Sequence, residues 1–192
     1  MAEEYSGIKF KTILKDAEPP MDSHLEELSY WCKIFHEKKL APPYPGGSYG
    51  NLSFRIKSGE NDFIITGTCI GFKNELKNDC FVKVTDCDME DRIVYAEGKR
   101  YPSSESMLHY SIYKARPEVN AIFHGHSKEI LDNVKTLGIP ETAKEESYGT
   151  IELVNSVLDI LDNHDFLCMK NHGFISLGKS MKEAGEQLLK II

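Results

Sequence analysis

The sequence predicts a layered α/β domain built on a sheet of short strands that pair mainly in antiparallel fashion. Between positions 49 and 98, short runs rich in β-branched and aromatic residues alternate with turn residues, a spacing typical of hairpins. Helical patterns then alternate with further strand-like runs, as expected when helices cover the faces of a sheet. A length of 192 residues with 41% hydrophobic residues suits one domain with a sizeable core.

The first helix follows an acidic leader that ends in "EPP". We interpret residues 1–20 as an N-terminal arm and residues 21–192 as a single domain. The segment "SHLEELSYWCKIFHEKK" has apolar residues at helical spacing, and Ser23 with Glu26 matches a capping box. The helix is expected to end before "APPYPGG", because proline and glycine favour a loop.

The rest of the chain divides into strands and helices by its apolar pattern. Four strands are predicted in the runs "YGNLSFRI", "FIITGT", "CFVKVT" and "RIVYAEG". A helix should then run from about Ser104 to Arg116, where Pro117 ends it. The remaining elements are the strand "EVNAIFHGH", the helices "KEILDNVKTLG" and "TIELVNSVLDIL", the strand–turn–strand "DFLCMKNHGFISLG" and the helix "SMKEAGEQLLKII".

Charge and composition exclude several classes of partner. The net charge of -7 argues against a nucleic-acid partner, because phosphate backbones need a basic face. No run of about 18 apolar residues exists, so we expect no membrane partner. The five cysteines are irregularly spaced and form no Cys-x-x-Cys pair, which indicates reduced thiols in a cytoplasmic protein.

Two histidines in "NAIFHGHSKEI" are candidate metal ligands. His124 and His126 lie one residue apart at the end of a predicted strand, so their imidazoles point to the same face. His172 in "KNHGF" supplies a third candidate, and three histidines with one open position are a known arrangement for catalytic zinc. The alternative is that the His-x-His pair is an ordinary surface feature.

A carboxylate and several hydroxyl groups lie where "YPSSESMLH" passes from loop to helix. Glu105 is a candidate general base, although complementing the helix dipole is the role that its position alone favours. Ser103 and Ser104 stand at a helix N-terminus, which favours anions such as phosphate. His109 shares a helical face with Glu105, either as a support for the site or as a structural neighbour. Asn51 and Thr68 lie in turns that could donate hydrogen bonds to a ligand.

The order of these pieces resembles the class II aldolase/adducin family, and in particular its fuculose-phosphate aldolase members. The resemblance rests on "GGSYGNLSFR", "FIITGT", "PSSE", "LHYSIYKARPEVNAIFHGHS", "YGTIEL" and "KNHGFISLG", and it covers the chain from about Gly46 onwards. Two features depart from the family pattern. Cys69 stands where the family usually has a glycine, and the segment 127–148 is short.

The resemblance implies a three-layer α/β/α fold with a mainly antiparallel central sheet. It also implies a zinc-dependent lyase that cleaves a small phosphorylated sugar through a metal-stabilised enediolate, in a homotetramer with active sites between subunits. The implied roles are zinc binding by His124, His126 and His172, acid–base catalysis by Glu105, and phosphate binding by Asn51, Thr68, Ser103 and Ser104. A dehydratase, an epimerase or a decarboxylase on the same scaffold stays open, as does a non-catalytic module like the adducin head.

Overall fold

The computed structural model describes residues 6–192 and contains the predicted helices and strands. The helices are α1 (Leu25–Glu37), α2 (Ser106–Ala115), α3 (Lys128–Leu137), α4 (Ile151–Leu161) and α5 (Met181–Leu189). The strands are β1 (Lys11–Asp16), β2 (Pro43–Tyr44), β3 (Gly47–Ser48), β4 (Asn51–Arg55), β5 (Phe63–Thr66), β6 (Phe81–Asp88), β7 (Ile93–Gly98), β8 (Ala121–Gly125), β9 (Phe166–Met169) and β10 (Gly173–Gly178).

Eight of these strands form one central sheet in the order β1-β7-β6-β5-β4-β8-β10-β9. The pairing of β1 with β7 is parallel, and every other pairing in this order is antiparallel. The short strands β2 and β3 form a separate hairpin. The mainly antiparallel sheet predicted from the sequence is therefore confirmed.

Helices cover both faces of the sheet and create two hydrophobic cores. On one face, α2 and α4 pack over residues such as Ile65, Ile122 and Ile175. On the other face, α1, α3 and α5 pack over a second cluster that includes Phe123 and Phe174. Because adjacent residues of a strand point to opposite faces, Ile122 and Phe123 enter different cores. The three layers implied by the family resemblance are present.

Part of the predicted N-terminal arm lies in the sheet. Lys11–Asp16 pairs with Ile93–Gly98, and Phe10 is buried against the core beneath α2 and α4. Residues 1–5 of the arm lie outside the described part of the chain, and the domain division at residue 20 stays a prediction.

The predicted capping box at the start of α1 is wrong. His24 is the N-cap residue, and no side chain caps the helix there. Asp22 instead accepts a hydrogen bond from the His24 backbone N–H on its side chain at 2.8 Å and one from the Leu25 N–H on its carbonyl at 3.2 Å. An aspartate can satisfy the free N–H groups at a helix start as well as a serine can. Within residues 6–192, no helix has the length and apolarity needed to cross a membrane.

Helix α5 packs so tightly against α1 at Gly185 that there is no room for a side chain. A Cβ at this position would overlap three ring atoms of Trp31, which is itself 5% exposed. Although alanine favours a helix by up to about 1 kcal/mol, overpacking costs about 1–3 kcal/mol. We therefore expect Gly185→Ala to lower the free energy of unfolding by about 1–2 kcal/mol, measured by urea denaturation.

The smaller ring of phenylalanine provides the control. Because the overlapping atoms belong to the six-membered ring of the indole, Gly185→Ala should cost less in a Trp31→Phe background than in the wild-type protein. An equal cost in both backgrounds would show that the contact between the two helices is not the cause.

Candidate active site

The central strands bring the three candidate histidines together. Strand β8 lies between β4 and β10, and His124 is paired with Asn51 on one side and with Ile175 on the other. His126 follows β8 directly, and His172 lies in the turn between β9 and β10. The ring of His124 lies 4.8 Å from that of His126 and 5.1 Å from that of His172, measured between centroids. One potential ligand atom from each histidine lies within 4.8 Å of the others.

The glycine after His172 permits this close approach. A Cβ at Gly173 would lie 2.7 Å from Cε1 of His124 and would also overlap the carbonyl oxygen of Gly125. Such contacts are far shorter than real side chains tolerate, so only glycine allows the β9–β10 turn to bring His172 against β8. The glycine of the "HG" pair is therefore required because any side chain at this position would clash with β8.

The hydrogen bonds of His124 fit a cation in the cluster. Its Nδ1 lies 2.9 Å from the carbonyl oxygen of Phe174, which only accepts, so Nδ1 carries a proton. Its Nε2 lies 3.1 Å from Nε2 of His126 and 3.0 Å from Oε2 of Glu105. In a tetrahedral zinc site, bonds of about 2.0–2.1 Å place ligand nitrogens roughly 3.3 Å apart. Nitrogen lone pairs and a carboxylate at this spacing need a positive charge between them, either a proton or a metal ion.

Glu105 is directed into the histidine cluster and does not cap its helix. It is the N-cap residue of α2, is 3% exposed and makes no side-chain capping bond. Oε2 accepts a hydrogen bond from Nδ2 of Asn51 at 2.8 Å, and Oε1 lies 3.3 Å from Nε2 of His172 without a hydrogen bond. Burial acts to raise the pKa of Glu105, but the imidazoles of His124 and His172 and the Asn51 amide hold it well below its usual value.

His109 belongs to a separate buried group beside the cluster. Its Nδ1 lies 2.7 Å from Oγ of Ser53, which is also 2.8 Å from the hydroxyl oxygen of Tyr113. Burial lowers the pKa of His109 to about 3, so its imidazole is neutral. The shared helical face predicted for His109 and Glu105 is present, but the His109 ring is hydrogen-bonded within the core.

The residues predicted to bind phosphate line one pocket together with His126 and His172. Gly67 forms a β-bridge with Pro102, and the backbone N–H of Thr68 donates to the carbonyl of Tyr101 at 3.1 Å. This pairing places the Thr68 turn beside the two serines that precede Glu105. The pocket is lined by Asn51, Thr68, Ser103, Ser104, Glu105, His126 and His172.

The residues predicted to bind phosphate differ in the hydrogen bonds that they already make. The amide of Asn51 already donates to Glu105, and Oγ of Ser103 accepts the backbone N–H of Glu105 at 3.3 Å. Ser104 is 9% exposed and lines the pocket. Cys69, which also lines the pocket, has φ +54°, the left-handed region that favours glycine. The departure from the family glycine therefore falls at a position where glycine has a conformational advantage.

Several residues that line the pocket were missed by sequence reasoning. Tyr44 and Tyr49 come from the Pro/Gly-rich loop after α1, and the Tyr49 ring lies 5.0 Å from that of His126. Glu145 and Glu146 come from the short segment before α4, where no pattern marked them. Tyr148, to which sequence reasoning assigned no role, lines the pocket too, and its hydroxyl group accepts the backbone N–H of Ser6 at 2.7 Å. Aromatic residues next to a glycine turn were the available signal for the first loop.

Comparison with known proteins places this chain in a family. Residues 26–131 match the family model described as the class II aldolase and adducin N-terminal domain. An L-fuculose phosphate aldolase of Methanococcus vannielii is 34% identical over 175 residues, which cover 83% of this chain and 87% of that protein. A methylthioribulose-1-phosphate dehydratase of Gluconacetobacter diazotrophicus is 40% identical over 78 residues, which cover 41% of this chain and 34% of that protein.

A solved structure supports the fold independently of close sequence identity. The structure of an L-fuculose 1-phosphate aldolase superposes with a TM-score of 0.71 at 22% identity and covers 91% of this chain and 84% of that chain. With the family model spanning more than half of the sequence, the match in sequence and in fold gives one conclusion. The chain belongs to the class II aldolase and adducin family.

Proposed function

We propose that this protein is a zinc-dependent lyase that cleaves a carbon–carbon bond in a small ketose phosphate, with fuculose 1-phosphate as the first candidate. The observation that carries the proposal is a buried carboxylate directed into a cluster of three histidines. The similarity to L-fuculose phosphate aldolases supports the substrate class. A cytoplasmic location and a homotetramer stay predictions.

Three histidine nitrogens would hold the metal, and the pocket leaves room for a substrate beside them. His124, His126 and His172 offer the neutral imidazole ligands that zinc prefers, with an open position typical of catalytic sites. Bound zinc would act as a Lewis acid that polarises the carbonyl and hydroxyl oxygens of a substrate. The bond from His124 Nδ1 to the Phe174 carbonyl fixes the tautomer that presents Nε2 to the metal.

Glu105 would move the proton that the cleavage requires. When the carbon–carbon bond breaks, the hydroxyl group on the departing fragment loses a proton and the carbon left behind gains one. A buried, ionised carboxylate in reach of the cluster can accept and return a proton at such a carbon. Asn51 orients this carboxylate through its 2.8 Å hydrogen bond.

The phosphate group of the substrate would bind at the start of α2. The hydroxyl groups of Ser103, Ser104 and Thr68 would donate to the phosphate there, and a helix N-terminus favours an anion. Binding at this end would anchor the sugar so that the bond to be broken lies beside Glu105 and the histidines. Asn51 is also proposed to bind the phosphate, through the same side-chain amide that donates to Glu105.

Dehydration of a methylthioribulose phosphate is the second candidate, because one relative with that name is 40% identical over 78 residues. Both reactions begin with an activated ketose phosphate, so the same residues would serve either. A panel of fuculose 1-phosphate, rhamnulose 1-phosphate, ribulose 5-phosphate and methylthioribulose 1-phosphate, assayed with zinc, separates them. Aldol cleavage yields two carbonyl fragments, whereas dehydration yields water and one product.

Metal removal tests the class of protein. Purified protein should contain about one zinc per chain, counted by elemental analysis, since three histidines form one tetrahedral site. Dialysis against a chelator should abolish cleavage, and added zinc should restore it. Protein without bound metal, whose activity does not respond to zinc, would favour a non-catalytic module like the adducin head.

The role of Glu105 is tested by Glu105→Gln, which keeps the shape and removes the charge. We expect the variant to retain zinc and to lose about 10²–10⁴-fold in kcat. The matched control is Glu129→Gln in the first turn of α3, where an exposed glutamate complements a helix dipole. If the two variants behave alike, Glu105 serves its helix and not the reaction.

Ser104 tests the phosphate end of the pocket. Ser104→Ala removes one donor to a charged group, which should raise KM for the phosphorylated substrate about 10-fold or more with a smaller effect on kcat. Ser111→Ala in α2, the helix that follows Ser104, is the control, since its hydroxyl contacts Met89 Sδ at 3.7 Å outside the pocket. An unchanged KM for Ser104→Ala would contradict phosphate binding at this serine.

A further inference from the structure

Lys73 is a buried lysine that the proposed reaction does not use. The residue is 1% exposed, although lysine is almost never fully buried unless it is paired. Burial lowers its pKa to about 8, while burial raises the pKa of the nearby Cys32 thiol to about 12. Within residues 6–192, its ammonium group forms no ion pair with a carboxylate. A charge kept in such surroundings needs a reason.

The ammonium group is fully engaged with one short loop. Its nitrogen donates to the carbonyl oxygen of Ser48 at 3.2 Å, to Oγ of Ser48 at 3.0 Å and to the carbonyl oxygen of Tyr49 at 3.1 Å. These acceptors match the three hydrogens of an ammonium group. Oγ of Ser48 also donates to the carbonyl of Gly71 at 2.8 Å. Lys73 therefore joins the loop 48–51, which runs from the last residue of β3 to the first residue of β4, to the segment 71–73.

The loop 48–51 touches the proposed site at three points. The ring of Tyr49 lies 5.0 Å from the ring of His126. The backbone of Gly50 lies so close to β8 that a Cβ there would be 2.7 Å from the carbonyl oxygen of His124. Asn51 pairs with His124 in the sheet and donates to Glu105. A shift of this loop would move supports of two metal ligands and of the acid–base residue together.

We propose that Lys73 is a positioning residue that holds the loop 48–51 against the metal and acid–base groups. The inference rests on the proposed function. An apolar side chain of similar size would leave buried carbonyl oxygens without a donor, so the loop would turn towards water. Residues that orient ligands from behind change metal affinity without touching the metal.

Lys73→Met tests this without an assay of the reaction. Co²⁺ is titrated into metal-free protein, and its dissociation constant and visible absorption spectrum are measured. We expect Lys73→Met to weaken Co²⁺ binding about 10-fold and to alter the spectrum. Lys73→Gln, which keeps an amide donor, should recover part of the loss. The matched control is Lys83→Met on β6, whose ammonium pairs with Asp62 at 2.9 Å, and it should bind Co²⁺ like the wild type.

A double-variant cycle tests the route through the loop. If Lys73 acts through Asn51, combining Lys73→Met with Asn51→Ala should cost less affinity than the product of the two separate losses. Each variant is first shown to unfold cooperatively, and Lys73→Gln carries the comparison if Lys73→Met does not fold.

Three outcomes would overturn part of this reasoning. Losses that multiply in the double variant would overturn the route through the loop. Wild-type affinity and spectrum in both Lys73 variants would overturn the inference alone. Wild-type protein that binds no Co²⁺ would overturn the proposed function and this inference with it.

Discussion

The buried carboxylate of Glu105 needs polar partners, and the central strands are arranged so that they supply them. Glu105 is 3% exposed, and an ionised carboxylate at that depth costs several kcal/mol unless partners replace its water. Its partners come from three separate segments of the chain: Asn51 at the start of β4, His124 in β8 and His172 in the turn before β10. The sheet order β4-β8-β10 is what brings them to one place. A change in the register of these strands would therefore also remove the partners that stabilise the charge of Glu105.

Features that depend on neighbouring residues could be predicted from the sequence, whereas contacts between distant segments could not. The five helices and the strands β4 to β10 were predicted because hydrophobic period and turn residues act over a few positions, whereas β1 lies in the segment that was predicted as an arm. That His124 and His126 share a face is also local, since it depends only on strand geometry. The proximity of His172 depends on β10 pairing with β8, which joins residues about 50 positions apart in the chain. The sequence offered His172 only as a candidate third ligand, and the family resemblance implied that it joins the other two histidines.

Residues whose surroundings come from distant segments could not be read in this way. The position of Glu105 favoured a dipole role, because a helix start says nothing about imidazoles that come from a distant strand and a distant turn. Lys73 reads as an ordinary charged residue in a loop, and its burial arises only when the loops around it close. The start of α1 shows the same limit on a small scale, since Asp22 and Ser23 are both residue types that favour a helix start and it is Asp22 whose side chain accepts the His24 N–H.

Two residues of opposite charge, Lys73 and Glu105, bind the two ends of the loop 48–51. Lys73 binds carbonyl oxygens at one end of the loop, and Glu105 binds the Asn51 amide at the other. Around the pocket, Ser103 and Ser104 offer neutral hydroxyl groups beside Glu105 at the start of α2, whereas Glu145 and Glu146 line the pocket from the segment before α4. An anionic group would be repelled by that acidic segment and attracted by the N-terminus of α2. For the proposed sugar-phosphate substrate, we therefore expect one orientation, with the phosphate at the serines and the reacting carbons beside Glu105.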